Sequence, residues 1–297
     1  MRRDDDQPGV SHRLSPRIRR VLAPNPGPFT YTGTGVYIVG DDPVAVIDPG
    51  PDVAEHTSAI LAAVGDAAVS HILITHSHLD HCAGAAALKA ATGAPICGFR
   101  ADRPKRMDAP ASQPNIVEEG ADLTFAPDRH LATGDIVEGE GWTLKALHTP
   151  GHTADHLCYE LVEERALFTG DHVMGWATSV VAPPDGRMAD YLNSLALLAD
   201  RTDEIYWPTH GPPVENPQTF VRAIIAHRRM RDGQILRFAV EPVSVQGLVE
   251  KMYEGLEPRL RPAAALSVYA HLERLVEIGA VRREGPPTMD AVFQAAS

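Results

Sequence analysis

The sequence predicts an α+β protein: an αββα sandwich over residues 21–215, then a small winged-helix-like domain over residues 216–297. Residues 1–20 are expected to form a mobile N-terminal arm. Three observations lead to this architecture. Two halves each mix short apolar runs with helical patterns, and each delivers polar residues from the ends of those runs. The composition then changes character across Pro212-Pro213-Val214-Glu215-Asn216-Pro217, a cluster of chain breakers. Beyond it lie three helical patterns and one short extended stretch.

The arm is polar and Arg-rich, and Pro24-Asn25-Pro26-Gly27-Pro28 after it is a turn cluster. Residues 34–39 and 44–48 read as a β-hairpin around Gly40-Asp41-Asp42-Pro43. A helix over about 53–63 leads to a short buried strand at 71–75, a His-rich loop, and an Ala-rich helix near 83–91. Residues 95–145 alternate short apolar runs with Gly and Pro, as strands and loops do. Residues 142–147 and 157–161 alternate like half-buried strands, and 166–168 form a short strand feeding Thr169-Gly170-Asp171. A loop over 175–187 precedes a helix near 188–198. In the tail, one long helix spans 219 to about 240, and Ser244 caps a second helix that runs to 253. Pro262 opens a third, which ends at Gly279. Residues 280–285 complete the tail as a wing.

No stretch reaches the ~18 uninterrupted apolar residues of a membrane span, so no membrane association is expected. Basic residues at the start are not followed by an apolar segment, so no secretory leader is expected. Three cysteines are too few and too odd for a disulfide framework and predict a reducing compartment, the cytoplasm. The net charge of −12 is uneven: residues 216–297 hold 11 Lys+Arg against 9 Asp+Glu, so the acidity belongs to the first 215 residues. Part of it falls where divalent cations would offset it.

The strongest local signal is Thr75-His76-Ser77-His78-Leu79-Asp80-His81. His76 and His78 stand two apart on an extended loop and point to one side. Asp80 and His81 enter the next helix, where a tightening backbone swings them toward the same cavity. Imidazole and carboxylate together suit zinc and other late first-row metals. His152 in a Pro-Gly turn, Asp171 directly after a strand, and His210 in Pro208-Thr209-His210-Gly211 complete the set. Rigid strand ends present such loop residues to one cavity.

This ordered pattern, HxHxDH followed by His, Asp and His, resembles the metallo-β-lactamase superfamily. The resemblance implies an αββα metallo-β-lactamase sandwich and two divalent metal ions, zinc by default, with Mn or Fe fitting the same ligands. By that match His76, His78 and His152 hold one ion; Asp80, His81 and His210 hold the other; Asp171 bridges them. Asp80 and Asp171 are the expected catalytic residues, with a hydroxide between the metals as nucleophile and Asp80 as proton shuttle. Asn25-Pro26-Gly27-Pro28-Phe29-Thr30, Tyr191-Leu192-Asn193-Ser194-Leu195 and His227-Arg228-Arg229-Met230-Arg231 ahead of the winged-helix tail further resemble the β-lactamase-like protein 2 group. One departure is Gly35-Val36, where that group's pattern carries Gly-Thr-Asn.

The resemblance implies phosphodiester hydrolysis of single-stranded RNA first, and ester, thioester or lactone hydrolysis second, because one fold hosts many reactions. The substrate is thus a small molecule or RNA, and a homodimer is admissible. A non-catalytic nucleic-acid or partner-binding regulator with a vestigial metal site is the reading from another class. Residues 171–187 lack the Gly-rich, Arg-bearing segment of glyoxalase II, and an oxygen-reducing di-iron protein would have Glu at His78. His148, His156 and His172 flank ligands and read as supporting or packing groups. Cys82 reads as a small buried hydrophobe. Arg222, Arg228, Arg229 and Arg231 cluster on one helix, either a solvated face or a track for phosphates.

Overall fold

A computed structural model of the chain describes residues 7–100 and 120–296. The first sheet takes its strands in chain order: β1 (Ser11–Arg13), β2 (Ile18–Leu22), β3 (Gly35–Val39), β4 (Val44–Ile47), β5 (Val69–Leu73), β6 (Ile96–Gly98) and β7 (Arg129–His130). Pairing is antiparallel through β4 and parallel from β4 to β7. Helices α1 (Ala54–Val64), α2 (Leu79–Cys82) and α3 (Ala85–Thr92) fall between its strands. The second sheet runs β12-β11-β10-β9-β8, formed by β8 (Ile136–Gly139), β9 (Trp142–His148), β10 (Leu157–Leu161), β11 (Ala166–Gly170) and β12 (Ile205–Pro208). Helix α4 (Met188–Ala199) separates its last two strands, which are parallel.

Side chains alternating along each strand build three layers of apolar contact. Tyr37, Val39, Ala45 and Ile47 meet Trp142, Leu144, Tyr159 and Phe168 between the two sheets. Val36, Ile38, Val44 and Val46 turn the other way, against Ile60, Val64 and Leu88 of α1 and α3. Leu147, Cys158 and Leu167 pack on Tyr191, Leu195 and Leu198 of α4. Strands buried on both faces read as unbroken apolar runs, which is why 44–47 carries no polar residue. The carboxyl ends of β5, β9, β11 and β12 lead into the residues singled out in the sequence.

Two expectations are corrected. The arm expected over 1–20 is joined to the first sheet from residue 11: β2 lies between β1 and β3, with Ile18, Val21 and Leu22 buried. The arginines hid this, because Arg19 keeps its head polar by donating to the Ala63 carbonyl (2.5 Å) while its neighbours pack; residues 1–6 lie outside the described residues. Nor does a new unit begin cleanly at 216. Helix α5 (Pro217–Phe238) contributes Val221 and Ile224 to the core beneath α4, and Ile235 to a separate core. That second core belongs to β13 (Val243–Ser244), α6 (Val245–Met252), α7 (Arg261–Glu277), β14 (Val281–Glu284) and β15 (Val292–Ala295), with sheet order β13-β15-β14. Ser244 Oγ accepts from the Gly247 amide (3.1 Å), the expected cap. The reading of 95–145 as strands and loops holds for β6 to β9; its portion at 101–119 lies outside the described residues. No helix of the described residues is long and apolar enough to cross a membrane.

His56 of α1 gives the fold a pH dependence. It is buried under the Gly50 turn, and neither ring nitrogen has a partner among the described residues. Burial lowers its pKa to about 4. A proton taken up more readily by the unfolded chain favours unfolding, so stability is full above pH 6.5 and falls as pH drops toward 4, by up to about 3 kcal/mol. Urea unfolding between pH 7 and 4.5 should show this slope, and His56→Leu should reduce it, other buried histidines contributing the rest; an unchanged slope would remove His56 as a source.

Candidate metal centre

The site assembles from strand ends and the turns behind them. At the end of β11, Gly170 adopts a φ of +49°, and a Cβ there would meet His156 Nε2 at 2.6 Å and Thr75 Oγ1 at 2.8 Å. Glycine is therefore required for the turn that delivers Asp171. Gly151 has the same role for His152: its φ is +140°, and a Cβ would lie 2.2 Å from the Tyr191 Cα.

All seven predicted residues come together. Ligand-capable atoms of His76, His78 and His152 lie within 4.8 Å of one another, as do those of Asp80, His81 and His210. Asp171 groups with His76 of the first trio and His81 of the second. His76 Nε2 lies 2.8 Å, and His152 Nε2 3.2 Å, from His78 Nδ1. His210 Nε2 is 3.0 Å from Asp80 Oδ2 and 3.5 Å from Asp171 Oδ2; His81 Nε2 is 3.4 and 3.6 Å from the same oxygens.

Surrounding groups fix which nitrogen of each ring faces the centre, since a ring that donates from one nitrogen presents a lone pair on the other. His152 Nδ1 donates to the Val180 carbonyl (2.7 Å), and His210 Nδ1 to that of Gly33 (3.2 Å). His76 Nδ1 sits 3.1 Å from Thr75 Oγ1, whose own proton goes to Asp48 (2.7 Å), so the imidazole is the donor. His81 Nδ1 donates to Asp48 Oδ2 (2.9 Å). The inward Nε2 atoms of His76 and His152 are therefore presented as lone pairs, both directed at His78 Nδ1, an arrangement that suits a cation.

Electrostatics agree. Burial, with neighbouring His152 next, lowers His78 to about 3. Burial alone would raise Asp171, but His210 and His81 bring it down to about 2. His81, against the effect of burial, is held well above its usual value by Asp80, Asp171 and Asp48. The buried atoms His81 Nε2 and Asp171 Oδ1 have no hydrogen-bond partner among the described residues. Buried polar atoms left so are rare unless something else binds them, and a nitrogen- and oxygen-bearing donor set of this kind fits divalent cations.

Asp48 was missed in the sequence. It is fully buried and accepts from the Thr75 amide (2.8 Å), Thr75 Oγ1, His81 Nδ1 and Thr209 Oγ1 (3.0 Å). Its place at the end of an apolar strand and before Pro49-Gly50 matches that of Asp171 after β11, and that was the available signal. Of the flanking histidines, His156 Nε2 accepts from the Asp171 amide (3.2 Å), so it supports a site residue directly. His172 is buried against Tyr191, and His148 donates to the Ala154 carbonyl (2.9 Å). Cys82 is buried, as expected.

The comparisons with known proteins agree with this geometry. Residues 31–210 match the Metallo-beta-lactamase superfamily, and residues 244–287 match the Beta-lactamase associated winged helix domain. The chain is 32% identical to the Beta-lactamase-like protein 2 homolog of Drosophila melanogaster over 283 residues, 91% of each chain. It is 33% identical to the Atrochrysone carboxyl ACP thioesterase of Cryptosporiopsis sp. (strain 8999) over 238 residues, 79% of this chain but 66% of that one, just under two thirds of its length. A crystallised metallo-beta-lactamase family protein of Thermus thermophilus shares the fold with a TM-score of 0.77 at 24% identity, covering 96% of this chain and all of that one. Members of the superfamily typically bind two divalent metal ions, and the His/Asp cluster stands where they would be held. The chain belongs to the metallo-beta-lactamase superfamily of metal-dependent hydrolases and carries the winged-helix domain associated with it.

Proposed function

We propose that the chain is a binuclear hydrolase of acyl thioesters and related esters, working in the cytoplasm. His76, His78 and His152 would hold one cation, Asp80, His81 and His210 the other, and Asp171 would face both. When bound, zinc or a similar ion lowers the pKa of water from ~16 to ~7 and offsets charge developing on the substrate oxygen. The protein's own groups do the rest. Val180, Gly33, Thr75 and Asp48 hold the rings so that the correct nitrogens face inward. Asp80, kept ionised by His81 and His210, is the carboxylate positioned to receive a proton from water in the cavity.

The observation that carries a carbonyl substrate over RNA is the fate of the α5 arginines. Arg228 is buried on the Ser179 carbonyl, Arg222 donates to the Ala199 carbonyl (3.2 Å), and Arg231 engages Gln234 (2.9 Å) and the Tyr253 ring. A phosphate track needs such cations turned outward, and of these four Arg228 is buried and Arg231 half-buried on protein partners, while Arg222 and Arg229 are exposed. The thioesterase relative points the same way. The cytoplasmic setting is supported by Cys82, Cys97 and Cys158, which are all unpaired.

Single-stranded RNA remains the second reading, favoured by Tyr31 and Trp176. Their rings stack 5.2 Å apart beside His210, because Gly33 accepts from His210 and Gly211 lies against Trp176. Tyr31 is exposed and Trp176 half-buried, and an aromatic ring open to solvent is a platform for a base. The metal-loaded protein should be assayed on an S-acyl pantetheine, a lactone, bis(p-nitrophenyl) phosphate and a single-stranded RNA. Thioester turnover at least tenfold above phosphodiester turnover is expected. Phosphodiester turnover alone would transfer the proposal to RNA, and tight RNA or DNA binding without any turnover would favour a regulator.

A further inference from the structure

We infer that Arg228 is a positioning residue for the metal centre, acting on it from helix α5 through the loop that follows Asp171. The inference rests on the metal-site reading above. Arg228 is 3% exposed. A guanidinium stays charged in a protein and is costly to bury unless its donors are used. Here Nη2 donates to the Ser179 carbonyl and the group lies over the Tyr191 ring, 5.2 Å from the centroid, while Nε has no hydrogen-bond partner among the described residues.

Both partners lead to metal-site residues. Ser179 Oγ donates to the backbone carbonyls of Asp171 (2.5 Å) and His172 (3.0 Å), tying the loop to the turn that carries Asp171. The next residue, Val180, supplies the carbonyl that orients His152. Tyr191 donates from its hydroxyl to the His172 carbonyl (3.0 Å), and its backbone fills the space behind Gly151, immediately before His152. One buried cation thus braces the loop on one side and the tyrosine on the other. Between them those two hold the backbone behind Asp171 and the ring of His152. Arg228 is thus a point at which helix α5 bears on the site.

A charge placed only for packing would be dispensable to cation binding. A brace would not be, since partners that orient ligands typically carry ten- to hundredfold in affinity. The test compares Arg228→Met, Arg228→Lys and Ile235→Ala in the full-length protein. Ile235 is buried in the other core on the same helix and controls for general loosening. Co2+ affinity is measured by chelator competition, the visible Co2+ spectrum reports ligand geometry, and near-UV circular dichroism reports folding.

Arg228→Met is expected to weaken Co2+ binding ten- to hundredfold, shift the visible bands, and lower kcat with KM within twofold. Arg228→Lys should recover part of the affinity, because it keeps the charge but not the planar fork. Ile235→Ala should lower the melting temperature and leave Co2+ affinity unchanged. If Arg228→Met does not fold, Arg228→Lys carries the test: an affinity and spectrum identical to wild type overturn the inference. So does a folded Arg228→Met with wild-type affinity, or an equal loss in Ile235→Ala. A wild-type protein that binds no Co2+ removes the metal-site reading itself, and this inference with it.

Discussion

Asp171→Ala is expected to abolish turnover and leave the protein unable to hold its full complement of two cations per chain. The Asp171 carboxylate is the group that clusters with both trios, beside His76 on one side and His81 on the other. It is 4% exposed, and one of its oxygens has no partner among the described residues. Removing it deletes a donor from each half and leaves His81 and His210 facing one fewer negative charge. The expected loss in kcat is roughly 10²–10³-fold at the least, the scale seen when one preorganised group at a reacting centre is removed. His78→Ala should act similarly by taking one of the three convergent nitrogens from the first trio. Metal analysis of the purified variants, alongside turnover, checks both. Two equivalents of tightly held metal with wild-type rates in either variant would end the assignment.

Asp48→Ala should be the most damaging change among residues not expected to touch a cation. Its carboxylate accepts four hydrogen bonds that span the first sheet, the His-rich loop and the turn after β12. Loss of a partner to a buried His-carboxylate pair, with further donors left unmet, costs about 3–5 kcal/mol. The His81 ring also loses the acceptor that selects its tautomer, so cation affinity should fall a further ten- to hundredfold. Asp48→Asn separates the two effects. The amide keeps the shape and one accepting oxygen, so thermal stability should return in part, while the affinity loss should persist because a neutral amide does not match a ring N–H and hydroxyls on every side. Affinity restored along with stability would mean that Asp48 supports the fold alone.

The run from His76 to His81 was legible because the spacing within one loop dictates that its side chains share a cavity. His152, Asp171 and His210 were legible because each follows a strand or sits in a Gly-bearing turn. Asp48 was not, since its partners lie 27, 33 and 161 residues away, and its place after an apolar strand marks a strand end without marking those partners. Arg228 was misread through its chemistry: arginine usually lies outside, so the cluster on α5 read as a solvated face or a track for phosphates. Its position carried the opposite signal, because Val221, Ile224, Arg228, Asp232 and Ile235 fall at helical spacing and all are buried. Strand β12 was overlooked because its four residues end in proline and show no alternation, as suits a strand whose Tyr206 and Trp207 are buried in different cores.

Helix α5 has a consequence for how this protein is divided. The superfamily match ends at residue 210 and the winged-helix match begins at 244, so the helix belongs by sequence to neither. By packing it belongs to both. A cut at either edge removes a wall from one module or leaves an apolar stripe bare on the other. Exchange of tails between relatives would therefore have to carry the helix along, and substitutions on its two halves are constrained by different neighbours. What looks like a linker in a domain diagram is the one segment that neither module can give up.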